Sequence, residues 1–128
     1  MAEKSKLQLE YLINCSPKVL YNRLSTASGL SEWFADDVLV KGNLFTFIWE
    51  NAGQIAEKKN QKENKVVRYE WVENDDKEEN YFEFTITQDD LTNDVSLIVT
   101  DFVDEDEKQS TKDLWDTQIT KLKHLLGS

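Results

Sequence analysis

The fold is decided by residues 16–34, which read SPKVLYNRLSTASGLSEWF. Ser16 has the side-chain oxygen of a typical helix N-cap, and Pro17 suits the first helical position, where its missing N–H removes no hydrogen bond. Leu20 and Leu24 lie four residues apart, so they share one face of that helix. The first half of this stretch therefore predicts a short capped helix with one apolar face.

The second half of the stretch predicts a break and then another short helix. Ser28 and Gly29 are poor helix formers, and we expect the first helix to end there. The next short helix should carry Leu30, Trp33 and Phe34 toward the core. The helix pair is thus expected to close one end of the fold.

Period-two patterns lie on both sides of the helix pair. Before it, polar Gln8 and Glu10 alternate with the apolar residues Leu7, Leu9, Tyr11 and Ile13. After it, six further strands are predicted in succession, at residues 38–40, 44–49, 54–59, 67–71, 82–87 and 95–99. Turn signals separate them, of which Lys41-Gly42-Asn43 is typical of a hairpin. Strands in such an order form an antiparallel meander, which coils because strands twist.

A long helix is predicted at residues 108–126. Its apolar residues form one stripe, at Trp115, Ile119, Leu122 and Leu126. Gly127 follows as a C-terminal stop signal. One face of the meander is apolar and needs a cover, and this stripe is the matching surface. The sequence thus predicts an α+β fold, in which a coiled antiparallel sheet of six or seven strands wraps on the long C-terminal helix.

Length and composition limit the classes of protein and of partner. At 128 residues the chain fits one domain spanning residues 1–128. The net charge of −10, with only two arginines, is unfavourable for binding nucleic acid or an anionic membrane surface. A single cysteine excludes an internal disulfide framework, and no apolar run reaches the length of about 18 residues that a membrane span needs. No apolar run follows Met1 either, so we expect a cytoplasmic protein.

This layout resembles the helix-grip fold of the START-like superfamily, also called SRPBCC, and most of all the branch named for the activator of heat-shock protein 90 ATPase. The similar segments are residues 16–21, 30–34 and 66–71, together with the helix residues Trp115, Ile119, Leu122 and Leu125. The resemblance implies a gap between sheet and helix in which superfamily members bind hydrophobic small molecules, and where some act as cyclases or hydrolases. The activator branch also includes domains that bind a chaperone.

The inward positions of the strands and of the last helix form an aromatic-rich concave surface, which is typical of a pocket for apolar ligands. A core filled by the same side chains is the alternative. Leu114 favours that alternative, because family members often carry Gly there and a leucine narrows the gap. Gln118 lies on the covered face of the helix, where its amide needs a ligand, water or the backbone as a partner. The predicted lining comprises Trp33, Phe47, Trp49, Tyr69, Trp71, Phe84, Trp115, Gln118 and Leu122.

The sequence predicts no metal site, no cofactor and no catalytic residue. The acidic run at 104–107 lacks the glycine and the spaced oxygen ligands of an EF-hand loop, and is expected to be solvated, like the polar hairpin tip at 75–79. His124 is the single histidine and Cys15 the single cysteine, so neither completes a metal-binding set or a catalytic triad. Among the carboxylates, Asp101 is the candidate for the rim of a pocket, since it continues the inward alternation of the last strand.

The leading functional hypothesis is non-catalytic binding of a hydrophobic or lipid-like small molecule in the gap. A protein-interaction module related to chaperone ATPase activators is the alternative from another class, and it would use an outer surface and leave the gap filled. A cyclase- or hydratase-like enzyme is a further alternative, which would need an inward acid and base that the sequence does not present. The volume of the gap under the last helix discriminates between the first two hypotheses.

Overall fold

The computed structural model describes residues 4–72 and 80–127, so the hairpin tip predicted at 75–79 lies outside the described residues. The strands of this part of the chain are β1 (Lys4–Ile13), β2 (Asp37–Lys41), β3 (Leu44–Trp49), β4 (Ala52–Lys62), β5 (Val66–Trp71), β6 (Tyr81–Gln88) and β7 (Val95–Asp104). The helices are α1 (Pro17–Ser25), α2 (Ala27–Leu30) and α3 (Lys108–Leu126), and a 3-10 turn at Glu105–Glu107 leads into α3. No helix within these described ranges is both long and apolar enough to cross a membrane.

The seven described strands belong to one antiparallel sheet with the order β1-β7-β6-β5-β4-β3-β2. The predicted meander is confirmed, because each strand from β2 to β6 pairs with the next one along the chain. β1 pairs with β7, from Lys4 opposite Asp104 to Ile13 opposite Val95. β7 extends beyond its predicted end at residue 99 because β1 offers it a partner along its whole length.

The two short helices meet at Thr26, not at the predicted break. Ser16 caps α1 as expected, its hydroxyl accepting a hydrogen bond from the backbone N–H of Val19 at 3.2 Å. Thr26 has an extended backbone and caps α2, accepting from the N–H of Gly29 at 3.0 Å. The prediction that Ser28 and Gly29 end the first helix is therefore wrong, because a capping threonine separates the two helices and both residues lie inside α2.

Gly29 has a packing role inside α2. A Cβ atom at this position would lie 2.7 Å from the carbonyl oxygen of Asn22 and 2.8 Å from the Cα of Arg23, both in the backbone of α1. Those distances are far below van der Waals contact, so a larger residue would push the helices apart. The absence of a side chain is what lets α2 approach α1 this closely.

The turn that follows α2 delivers two aromatic side chains to the core. The predicted burial is confirmed, since Leu30 is 0% exposed, Trp33 2% and Phe34 5%. The predicted helical placement of Trp33 and Phe34 is wrong, because α2 ends at Leu30 and the N–H of Phe34 donates back to the Leu30 carbonyl at 2.8 Å. The indole N–H of Trp33 donates to the Arg23 carbonyl at 3.0 Å and ties this turn to α1.

α3 covers the inner face of the sheet, as the helix-grip fold requires. The residues of its apolar stripe that are buried are Trp115, Ile119 and Leu122. The phenol of Tyr11 on β1 donates to the carboxylate of Asp116 at 2.7 Å, which fixes the helix to the edge of the sheet. Gly127 ends the helix in the left-handed conformation, with a φ of 69°. The predicted α+β architecture is confirmed.

Candidate ligand pocket

The ring of Phe34 fills the middle of the gap between the sheet and α3. Its centroid lies 5.7 Å from that of Trp115 in a stacked arrangement, and 5.1 Å from the centroids of both Phe47 and Phe82. Several residues of the predicted lining are 0% exposed within the core around this ring, namely Phe47, Tyr69, Phe84 and Leu122. At the centre of the gap, the structure therefore has the filled core that the sequence left as an alternative.

A cavity of about 310 Å³ lies toward the N-terminal half of α3, beside the filled centre. Four residues of the predicted lining are brought together around it, namely Trp49, Trp71, Trp115 and Gln118. Six further residues complete the wall: Phe34, Gln54, Phe82, Asp101, Thr111 and Leu114. Trp33 does not line this cavity, but it lines a neighbouring one of about 250 Å³ that shares Phe34, Trp49 and Gln118 with it. The role of the nine predicted residues in binding stays a prediction. Four of them line this cavity, whereas the other residues lie in the core or line the neighbouring cavity.

Two hydrogen bonds to one backbone carbonyl hold three walls of the cavity together. The carbonyl oxygen of Phe34 accepts from the indole N–H of Trp49 at 2.8 Å and from the side-chain amide of Gln118 at 2.9 Å. This links the turn after α2 to β3 and to α3. The sequence allowed a ligand, water or the backbone as the partner of the Gln118 amide. In the structure this partner is the backbone.

Asp101 brings a carboxylate to the wall of this apolar cavity. One of its oxygens accepts from the indole N–H of Trp115 at 2.9 Å, and the other from the backbone N–H of Phe102 at 2.8 Å. Burial raises the pKa of Asp101, although both hydrogen bonds and the charge of Lys4 act in the opposite direction. Asp101 is the ionisable residue among the ten described residues of the wall.

A second, more polar cavity of about 430 Å³ adjoins the first one. The two cavities share Gln54, Trp71 and Asp101 as wall residues. Lys4 and Asn80 line the second cavity only. The side chain of Asp101 therefore stands where an apolar chamber meets a polar one.

Leu114 lies at the mouth of the apolar cavity. It is 58% exposed while also lining the wall, so most of its side chain faces solvent. The sequence led us to expect that a leucine here would narrow the gap. Its position at the entrance limits access, whereas the ring of Phe34 is what fills the interior.

The remaining candidate residues lie away from these cavities. His124 is exposed near the end of α3. Cys15 is half-buried after β1, and burial raises the pKa of its thiol, which disfavours the reactive thiolate. The carboxylates of Asp104, Asp106 and Glu107 lie within 4.8 Å of one another at the start of α3. Exposed acidic groups of this kind are common without an ion, and among the described residues neither a histidine nor a cysteine joins the cluster.

The predicted lining left out Phe34, Gln54, Phe82 and Thr111, and it named Asp101 only as a rim candidate. The period-two pattern of β7 did contain the signal for Asp101, which follows Val95, Leu97 and Val99 on the inward face. No local pattern marks Phe34, because its direction depends on a turn that is held by contacts to α1 and α3.

Comparison with known proteins places this geometry in a family. The START-like superfamily domain matches residues 1–128. Among solved structures, the protein BfR322 from Bacteroides fragilis is 34% identical with a TM-score of 0.69, and the match covers 97% of this chain and 92% of that one. Among curated proteins, no relative matches the chain.

Two more distant structures share the fold. The Aha1 dimer from Colwellia psychrerythraea is 19% identical with a TM-score of 0.78, and 93% of each chain is covered. The protein MLL2253 from Mesorhizobium loti has the same identity of 19% and the same TM-score of 0.78, over 96% of this chain and 97% of that one. The predicted resemblance to the START-like superfamily is confirmed, and the chain belongs to that superfamily.

Proposed function

We propose that this protein binds an apolar small molecule, without catalysis, in the cavity between α3 and the ends of β3 and β5. The observation that carries the proposal is the wall itself, in which aromatic rings dominate and surround about 310 Å³ of open space. Ligand pockets are concave, mostly apolar and at least about 300 Å³ in volume. The START-like superfamily commonly binds hydrophobic ligands, which supports the same conclusion.

The size of the cavity restricts the ligand. A volume of about 310 Å³ is at the lower end of the range for small-molecule sites. It suits a body of one or two aromatic rings better than a long acyl chain, because Phe34 blocks the route into the centre of the gap. Burial of such a body contributes roughly 25 cal/mol for each Å² of apolar surface removed from water.

The four tryptophans provide the test. A neutral naphthalene compound, naphthylethanol, is titrated into the nitrogen-labelled protein while the indole N–H signals are followed by NMR. We expect saturable shifts for Trp49, Trp71 and Trp115, which line the cavity. The signal of Trp33 should shift least, because its ring does not line this cavity and its indole N–H is bonded to the Arg23 carbonyl. Uniform shifts of all four signals, or none at all, would overturn the proposal.

Two variants locate the site. Leu114→Trp adds bulk at the mouth of the cavity, so we expect the affinity for naphthylethanol to be lost. Leu125→Trp is the matched control, since it makes the same change on the same helix at a residue that is 42% exposed and does not line the cavity. Equal affinities of the two variants would place binding elsewhere.

Protein interaction is the second candidate, and a patch on the other face of the sheet favours it. Leu39 and Ile55 lie on either side of Thr46 across three neighbouring strands, and they are 55% and 41% exposed. Leu44, at 45% exposed, belongs to the same three strands. The fold is shared with the Colwellia Aha1 dimer. The resemblance of the sequence to the activator branch also implies that a chaperone is a possible partner class. The ATPase rate of heat-shock protein 90 with and without this protein tests the candidate, and an unchanged rate contradicts it.

A further inference from the structure

Two of the three indole hydrogen-bond donors in the wall of the apolar cavity, and one amide N–H of Gln118, are used by the protein itself. The indole N–H of Trp49 and the amide N–H of Gln118 both donate to the Phe34 carbonyl. The indole N–H of Trp115 donates to Asp101. The indole N–H of Trp71 has no partner among the described residues, which leaves a single ring donor on the wall.

The one charged group among the described wall residues is an acceptor, the carboxylate of Asp101, and it can accept further hydrogen bonds. Each oxygen of the Asp101 carboxylate accepts one bond from the protein and can accept another, since a carboxylate has about four lone-pair sites. The two protein bonds hold the group in one orientation at the junction of the apolar and polar cavities. A half-buried carboxylate held in this way is stabilised by a donor that a ligand brings.

The net charge of the protein also favours a cationic ligand, and Lys4 is the one nearby cation in the described walls of the two cavities. Lys4 is the cation that lines the adjoining polar cavity, but its side chain is exposed near the start of the described chain and is not bonded to Asp101. The protein as a whole has a net charge of −10, which attracts cations and repels anions. A cationic head group would therefore be favoured over an anionic one both at long range and at the carboxylate.

We propose that the ligand of this pocket is a small amphipathic amine, with an aromatic body in the apolar cavity and a cationic, hydrogen-bond-donating head on Asp101. This inference rests on the binding function proposed above and specifies the ligand class. The rings of Trp49, Trp71 and Trp115 surround the aromatic body. The head reaches the carboxylate at the edge of the polar cavity, where water can complete the remaining hydrogen bonds of the ammonium.

Three naphthalene compounds of nearly equal size test the ligand class on the unmodified protein. Naphthylethylamine, naphthylethanol and naphthylacetic acid share their aromatic body and differ in the head, which is cationic, neutral or anionic at about pH 7. Isothermal titration calorimetry gives the three dissociation constants. We expect the amine to bind about tenfold more tightly than the alcohol, because a charge-assisted hydrogen bond to the carboxylate is stronger than a neutral one by about that factor in affinity. The acid should bind most weakly.

The contribution of Asp101 is isolated by a pair of variants. In Asp101→Asn, the ratio of the amine affinity to the alcohol affinity should fall toward one, whereas the alcohol itself is still bound. Lys4→Gln is the opposite change, because it removes the cation that lines the polar cavity beside Asp101, and it should raise the ratio. Thermal melts verify that each variant is folded.

The outcomes separate this inference from the proposed function. Equal affinities for amine and alcohol, or tightest binding of the acid, would overturn the ligand class while the pocket remains a binding site. A selectivity for the amine that persists unchanged in Asp101→Asn would also overturn it. Absence of binding by all three compounds would overturn the proposed function, and the ligand class with it.

Discussion

The carboxylate of Asp101 on β7 accepts a hydrogen bond of 2.9 Å from the indole N–H of Trp115 on α3. The bond joins the last strand to the helix that covers the sheet. It also joins the polar wall of the candidate pocket to its aromatic wall, because both residues line the same cavity. The stability of the helix-grip arrangement and the chemistry of the pocket therefore depend on the same pair.

The first prediction concerns pH. Burial raises the pKa of Asp101 in the folded protein above the value of about 3.9 that an unfolded chain has. Between these two pKa values the folded state holds the proton more tightly, so this residue makes the free energy of unfolding fall as the pH rises through that window. Asp101→Asn has no such proton and should lack this part of the pH dependence. Urea denaturation of both proteins from about pH 3 to about pH 8 measures the difference. Parallel curves would contradict the prediction.

The second prediction concerns the grip of α3. Trp115→Ala should reduce the free energy of unfolding by ~3–5 kcal/mol, because it removes a large side chain that is 4% exposed and stacked on Phe34. Trp115→Phe keeps an aromatic ring but loses the N–H that bonds Asp101, and should cost a smaller amount, ~1–3 kcal/mol. Chemical denaturation measures both. If the alanine variant lost less than the phenylalanine variant, the helix would not depend on this packing.

The third prediction tests the contact between the two short helices. Gly29→Ala should destabilise the protein by ~1–3 kcal/mol, since its Cβ would lie 2.7 Å from a backbone oxygen of α1 that cannot rotate away. Gly53→Ala is the matched control, because there the nearest atom would lie at 3.5 Å, an ordinary contact. Melting temperatures of the two variants provide the comparison. Equal melting temperatures would mean that α2 can move away from α1 without loss.

The fourth prediction concerns a buried hydroxyl. Tyr69 is 0% exposed and its phenol donates to the Leu24 carbonyl at 2.7 Å, while burial raises its pKa well above the usual range. Tyr69→Phe should cost ~1–3 kcal/mol, because the carbonyl loses a partner that water cannot replace. Tyr11→Phe removes a similar bond, to Asp116, at a half-buried position where water is available. Its cost should be the smaller one in urea denaturation, and the reverse order would contradict this reasoning.

The sequence alone determined the succession of strands and helices. Alternation around Phe45 and Phe47, and the stripe from Trp115 to Leu122, are local periodicities that depend only on which face of a strand or helix is buried. The same periodicity placed Asp101 on the inward face of β7. The cap at Ser16 and the stop at Gly127 are also local, since each satisfies backbone groups within a few residues.

Only the tertiary structure decided which part of the gap is filled and which part is open. The ring of Phe34 occupies the centre because the turn after α2 is held by the bond from Trp33 to α1, and by the bonds from Trp49 and Gln118 to its own carbonyl. These contacts join residues that are far apart in the chain. The role of Gly29 is of the same kind, because a close approach between two backbones leaves no periodic pattern in the sequence. A cavity is the space that such long-range packing leaves, and no local pattern specifies its volume or its place.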